Sequence, residues 1–226
     1  EVTGCIPSLI ASYAILVLLV GVLRTVSERA GWIAGGLWCV LPINVLYSTT
    51  CFPDLIQTAL AAAAFALVRR DATPRRAIAA GLLIGCSWMA KETAVYWGAA
   101  TLGWLIWSKQ KPRAALLFCA AAALIPALEV AVYGIATGSP LLRVQAIRGL
   151  YYEDLIRNFY PNGASIVRRL TIELPLLLFS PANPGNLLFG FVPLLTVAAL
   201  WVTRGDPEAR PWRFLLAALF LCFNFW

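Results

Sequence analysis

The chain has 226 residues, 61% hydrophobic and 13% charged, with a formal net charge of +7 and no histidine. A soluble domain carries about 25% charged and about 45–50% apolar residues, so this balance, with a mean hydropathy of +0.78, excludes a soluble, disordered, coiled-coil, collagenous or disulfide-stapled chain. The absence of histidine removes Ser-His-Asp triads, HExxH zinc sites and histidine proton relays. Cys5, Cys39, Cys51, Cys86, Cys119 and Cys222 lie in or beside apolar runs without a CxxC pair, and read as small buried hydrophobes.

In chain order the apolar runs cover 6–23, 32–51, 55–68, 77–90, 93–107, 114–136, 187–203 and 214–226. A bilayer core of about 30 Å takes about 20 helical residues, with a minimum near ~17. The third, fourth and fifth runs fall short of that, which is tolerated where a helix lines a protein-walled cavity. The expectation is therefore an all-α polytopic transmembrane bundle, one domain over 1–226, with about seven to eight spans, several of them short. No signal-peptide pattern precedes the first run. A start at Glu1 and an end inside an apolar run read as a piece of a longer polytopic protein, with spans beyond both ends.

Positive charge sets the expected orientation. Segments 24–29, 69–76, 109–113 and 204–213 together hold twelve of the eighteen basic residues. Placing them in the cytoplasm puts Asp54, the pair Lys91-Glu92 and the long connector 137–186 on the other side. A single helix over 77–107 would break that pattern, so two short spans fit better. The external connector has an aromatic cluster, Tyr151, Tyr152, Phe159 and Tyr160, suited to a membrane interface. Within it, 141–151 reads as an interfacial helix, and Arg168-Arg169 precede a short apolar run over 170–179.

The candidate residues lie on that outer side. Asp54, just after Pro53, suits the first turn of a helix, where a carboxylate interacts with the dipole. It equally suits a carboxylate at a membrane-interface site, open to a divalent metal or a sugar hydroxyl. Lys91 reads either as a lysine snorkelling from a helix end, with Glu92 capping the next helix, or as a point charge for a phosphate at a tight corner. Glu129 lies about 12 Å inside the outer end at 1.5 Å per residue, and its expected role is structural, protonated or paired with a neighbouring polar group. Arg143, Arg148, Arg168 and Arg169 suit solvent or lipid headgroups, and one or two of them suit an anionic lipid-linked substrate.

The order of these features resembles the GT-C membrane glycosyltransferases. It runs from a basic loop through Leu41-Pro42, Ser48-Thr49-Thr50-Cys51-Phe52-Pro53-Asp54, an alanine-rich span and Gly81…Gly85…Lys91-Glu92 to Thr137-Gly138-Ser139-Pro140. The relevant groups are the dolichyl-phosphate-mannose–protein mannosyltransferase-like enzymes and the bacterial aminoarabinose lipid A transferases, and the resemblance covers most of 1–200. It implies a helical membrane enzyme that moves a sugar from a polyprenyl-phosphate donor to a lipid, glycan or protein acceptor. The reaction would lie at the outer face, here of a bacterial inner membrane facing the periplasm or exterior. It further implies that Asp54 helps line a substrate cavity, with a divalent metal as the one cofactor in view. Lys91 and Glu92 would match the family's lysine and its neighbour, Arg143 and Arg148 are the arginines expected from their place to meet the anionic donor, and the resemblance puts the catalytic carboxylate upstream of Glu1. Asp54 and Lys91 are then expected to line one outward-opening cavity. A secondary transporter, with sites near the midplane between repeats, is the rival reading, and a purely structural membrane subunit is the third.

Overall fold

The computed structural model describes residues 5–25, 27–50, 53–150 and 192–224. All regular structure among them is helical: α1 Ile6–Leu23, α2 Glu28–Val40, α3 Pro42–Ser48, α4 Pro53–Val68, α5 Pro74–Ala90, α6 Ala94–Trp107, α7 Pro112–Thr137, α8 Leu142–Leu150, α9 Val192–Val202 and α10 Arg210–Asn224. The expected aromatic cluster, Arg168-Arg169 and the run over 170–179 lie outside the described residues.

The surface is apolar and the interior holds small and polar side chains. Ile135 is 88% exposed and Leu116 71%, whereas Ala61, Ala64, Ala77 and Ala80 are fully buried along with Ser87 and Thr101. Only 6% of the apolar stretch of α7 is buried. Such a surface is solvated by lipid, and small residues inside let helix backbones approach closely. Cys39, Cys86 and Cys119 also face outward, correcting their reading as buried: a thiol is apolar enough to meet lipid.

Among the described residues, α1 and α7 are long and apolar enough to cross a bilayer, and Gly31–Val40 and Pro53–Val68 are shorter apolar helices. The run expected over 32–51 is not one helix. Leu41 is extended (φ −66°, ψ 119°) and Pro42 opens α3, because a proline disfavours helical backbone in the residue before it. Pro42 has no N–H for the carbonyl of Trp38, four residues earlier. Asn44 replaces that donor through its Nδ2 at 2.9 Å, and its Oδ1 accepts from Ser12 on α1 at 2.7 Å. A broken helix is thereby satisfied from within the protein.

The single-helix alternative over 77–107 is excluded. α5 ends at Ala90, and Lys91 is extended at φ −157°, ψ 139°.

The basic segments gather at one end of the bundle. Gln110 bonds the backbone of Arg70 and Ala72, Arg70 pairs with Glu208, and Arg69 lies over the Trp212 ring. Burial first, and Arg70 second, lower the Arg69 pKa from its ordinary value, with Glu208 acting in opposition. Leu23 at the end of α1 lines a cavity with Ala66 and Trp212, which puts the 24–29 segment at the same end. Phe65, Trp104 and Trp212 tie α4, α6 and α10 together beneath it.

α5 packs on α7 through Gly81 and Gly85. A Cβ on Gly81 would sit 2.4 Å from the Phe118 carbonyl oxygen, and one on Gly85 2.8 Å from Ile125 Cγ1. Gly81→Leu is expected to destabilise the bundle by about 1–3 kcal/mol, read as a lower melting temperature in detergent. Gly36→Ala, where a Cβ meets nothing within 4 Å, should leave that temperature unchanged or raise it.

Candidate functional site

Opposite the basic end, helix termini bring the sequence candidates together. Pro53 starts α4 and puts Asp54 in its first turn. The small-residue helix α5 delivers Lys91 beside it, and Lys91 Nζ meets Asp54 Oδ1 at 2.6 Å with side chains 26% and 34% exposed. Asp54 is therefore a first-turn carboxylate that is also one half of a partly exposed ion pair.

One cavity at this end holds about 40 Å³ and is lined by Trp88, Pro126, Glu129, Tyr133 and Arg143, among others, but by neither Asp54 nor Lys91. The Asp54–Lys91 contact lies outside the lining of that cavity.

The corner joining α5 to α6 is held by side chains that sequence reasoning missed. Gln57, one turn after Asp54 on α4 and 3% exposed, accepts through its backbone carbonyl from Ser87 Oγ at 3.0 Å. Its Oε1 accepts from Thr93 Oγ1 at 3.0 Å. Thr93 is the N-cap residue of α6 yet makes no side-chain cap: its backbone is helical (φ −63°, ψ −7°), not in the extended region of a capping residue. The available signal was a single amide in an otherwise apolar, alanine-rich run, three residues after a carboxylate. Glu92 does not cap α6 either. Its backbone carbonyl accepts from Val95, and its half-buried carboxylate makes no hydrogen bond or ion pair among the described residues.

Glu129 and Arg143 form a second group. Gly138 ends α7 in the left-handed region at φ 71°, which glycine adopts without steric cost, and the chain turns back into α8, the helix expected at this place. Arg143 on α8 then reaches Glu129 at 3.1 Å, with side chains 19% and 7% exposed. The second guanidinium nitrogen donates to the Trp88 carbonyl at 2.8 Å, and Nη1 also reaches Met89 O at 3.4 Å. Trp88 Nε1 donates to the other oxygen of Glu129 at 2.9 Å, and its ring lies 5.5 Å under the Arg143 guanidinium carbon. Glu129 is thus paired, and Arg143 is committed to protein groups, including carbonyls in the last turn of α5 that lack helical donors. The side chain of Arg148 lies outside the described residues.

The described residues offer Asp54 alone toward a divalent ion at this place. One oxygen of Asp54 is engaged by an ammonium, and no three His, Cys, Asp or Glu side chains among the described residues come together. On the far side of Trp88, an apolar groove of about 350 Å³ runs between α5, α6 and α7, lined by Ile84, Val95, Gly98, Ala122 and Pro126, among others.

Removing one member of the Glu129–Arg143 pair strands the other. Glu129→Ala is expected to cost about 3–5 kcal/mol, and Glu129→Leu with Arg143→Met together less than either single loss. Thermal unfolding of the purified protein in one detergent would show the order, and a double variant weaker than Glu129→Ala would refute the pairing.

The described helices from α1 to most of α7, with Asp54, Gln57, Lys91, Glu92 and Glu129, fall inside a match of residues 1–133 to the dolichyl-phosphate-mannose-protein mannosyltransferase family. Arg143 and Arg148 lie beyond it. No curated protein matches the chain, and no solved structure does. With more than half of its length matched, and an apolar helical surface to go with it, the chain belongs to the dolichyl-phosphate-mannose-protein mannosyltransferase family of integral membrane glycosyltransferases.

Proposed function

We propose that this chain is the donor-handling part of a membrane enzyme that moves a sugar from a polyprenyl-phosphate carrier to a lipid, glycan or protein acceptor. The observation that carries this reading is the Asp54–Lys91 pair, partly exposed at the end of the bundle opposite the basic segments. A partly exposed ion pair is worth about 0–1 kcal/mol. A hydrogen bond between an ammonium and phosphate is worth about 1.5–3 kcal/mol. A donor phosphate can therefore take over the Lys91 ammonium from Asp54 without a large penalty. In the resting state Asp54 compensates the lysine; with donor bound, Lys91 stabilises the charge that builds on the departing phosphate.

Asp54, released from the ammonium, is then placed to accept from a hydroxyl of the sugar. Glu92 lies next to this exchange, and Arg148 follows on α8, so both remain donor-side candidates. Arg143 supports the corner from behind through the carbonyls of Trp88 and Met89. The apolar groove beyond Trp88 has the character of a seat for isoprenoid carbon. The carboxylate that activates the acceptor is a different group, supplied outside the described residues. Glu129, the deep carboxylate that a transporter reading would use, is already paired with Arg143, which favours the transferase.

In the full-length enzyme, Lys91→Ala should raise the donor KM or lower turnover about 10- to 150-fold, from ~1.5–3 kcal/mol at 1.4 kcal/mol per decade. Lys91→Arg should keep part of the activity, since charge survives but the compact ammonium does not. Asp54→Asn should lose strongly, whereas a carboxylate serving only as a helix-start residue would tolerate asparagine. Sugar transfer in membranes with matched expression is the readout. Near wild-type transfer by both Lys91→Ala and Asp54→Asn would sink the assignment.

The distribution of arginine and lysine also supports an orientation with the basic end in the cytoplasm of a bacterial inner membrane and the pair facing outward. In a variant cleared of native cysteines, Arg75→Cys should react with an impermeant maleimide only after the membrane is opened. Asp54→Cys should react in intact cells. Labelling of both from the same side would overturn the orientation.

A further inference from the structure

We propose that Gln57 is a positioning residue for Lys91: it fixes the α5–α6 corner so that the ammonium is presented at the Asp54 site. The proposal rests on the donor reading above for its consequence in catalysis, but its geometry stands by itself. Lys91 occupies the break between two helices with an extended backbone, where its N–H donates to the Ser87 carbonyl at 3.1 Å and its carbonyl accepts from Ala94 N–H at 3.1 Å. What holds it is on either side. Four residues before it, the Ser87 hydroxyl donates to the Gln57 carbonyl. Two residues after it, the Thr93 hydroxyl donates to the Gln57 side chain. One residue of α4 thus grips both flanks of the corner, one helical turn from the Asp54 that Lys91 meets.

The cost of this arrangement argues that it is more than packing. Gln57 Nε2 is buried and has no hydrogen-bond partner among the described residues. The Thr93 hydroxyl can serve either amide atom, so in either orientation of the amide one end is bonded to Thr93 and the other has no partner among the described residues. A buried unsatisfied donor is a stability liability, and leucine at this alanine-rich helix position would avoid it. A structural role alone would therefore be served as well or better by leucine. What leucine cannot do is accept from Thr93. A long lysine loses rotamer freedom when it binds, and a corner fixed in advance reduces that loss.

The test uses the full-length enzyme in membranes, with Gln57→Leu, Thr93→Val and Thr93→Ser. Gln57→Leu and Thr93→Val should each raise the donor KM about 2- to 12-fold, equivalent to one neutral hydrogen bond of ~0.5–1.5 kcal/mol, with kcat changed less. Thr93→Ser, which keeps the hydroxyl, should stay near wild type. The melting temperature of Gln57→Leu should be unchanged or higher. Combined with Lys91→Ala, Gln57→Leu should add no further loss. Independently of any donor, the rate at which an amine-selective reagent modifies Lys91, followed by mass spectrometry, should rise in Gln57→Leu and Thr93→Val, toward the rate in Asp54→Asn. An unchanged Lys91 labelling rate in both variants, or a full multiplicative loss in the Lys91→Ala background, would overturn the proposal. If Lys91→Ala itself leaves the donor KM untouched, the donor reading fails, and the labelling rates still decide whether Gln57 positions the lysine. Should Gln57→Leu not accumulate, labelling of Lys91 in Thr93→Val against Thr93→Ser decides the same question.

Discussion

The close approach of α5 to α7 is the constraint on which the outer end of the bundle depends. Lipid is as apolar as leucine, so helices in a membrane gain little from burying large apolar side chains against each other. They hold together where small residues let backbones meet and where polar groups can bond between them. Gly81 and Gly85 bring α5 against the backbone of α7 around Phe118 and Ala122, and the buried alanines of α4 pack against the same core. With α5 fixed between α4 and α7, its C-terminal end can fall only beside Asp54 on one neighbour and Glu129 on the other. The position of Lys91 follows from where the glycines let α5 lie.

Ending a helix there leaves carbonyls without donors in a place with little water. The protein answers at each break with a side chain from another element. Asn44 serves the Trp38 carbonyl at the Pro42 break. Arg143 serves Trp88 and Met89 at the end of α5, with Glu129 compensating its charge. A helix break made useful in this way exposes an extended residue at a defined point, and at the end of α5 that residue is Lys91. The first helix of the external segment, α8, is thereby tied to the stretch of backbone that carries the lysine, so a shift of that segment would be felt at the corner.

Much of this was legible in the sequence because it depends on short-range rules. Pro53 marks the start of α4, as its place just before Asp54 suggests. The clustered arginines and lysines told which connectors share an end. The spacing to Asp54 and Lys91 placed both at the other end. What was not legible was pairing across helices. Gln57 looks like any isolated polar residue in an apolar run until α4 and α5 are laid side by side, and the Arg143–Glu129 pair appears only when α8 folds back on α7. The run over 32–51 reads as one span because hydropathy is blind to a proline break. The cysteines read as buried because apolar and buried mean the same in water but not in lipid.

The two cation–carboxylate pairs at this end are chemically alike and differ in what surrounds them. Arg143–Glu129 is nearly closed off, its guanidinium spread over a carboxylate, two carbonyls and an indole face, and a planar fork that is satisfied on several edges has nothing to gain from a phosphate. Lys91–Asp54 is partly open, and its compact ammonium is strongly attracted to any anion that approaches. Exchange of one anion for another costs least where water already screens the resting pair and most where it does not. The same pairing of charges is therefore nearly closed off in one place and partly open in the other. The difference follows from how α8 folds back on α7 over Glu129, while Asp54 and Lys91 meet at the ends of α4 and α5.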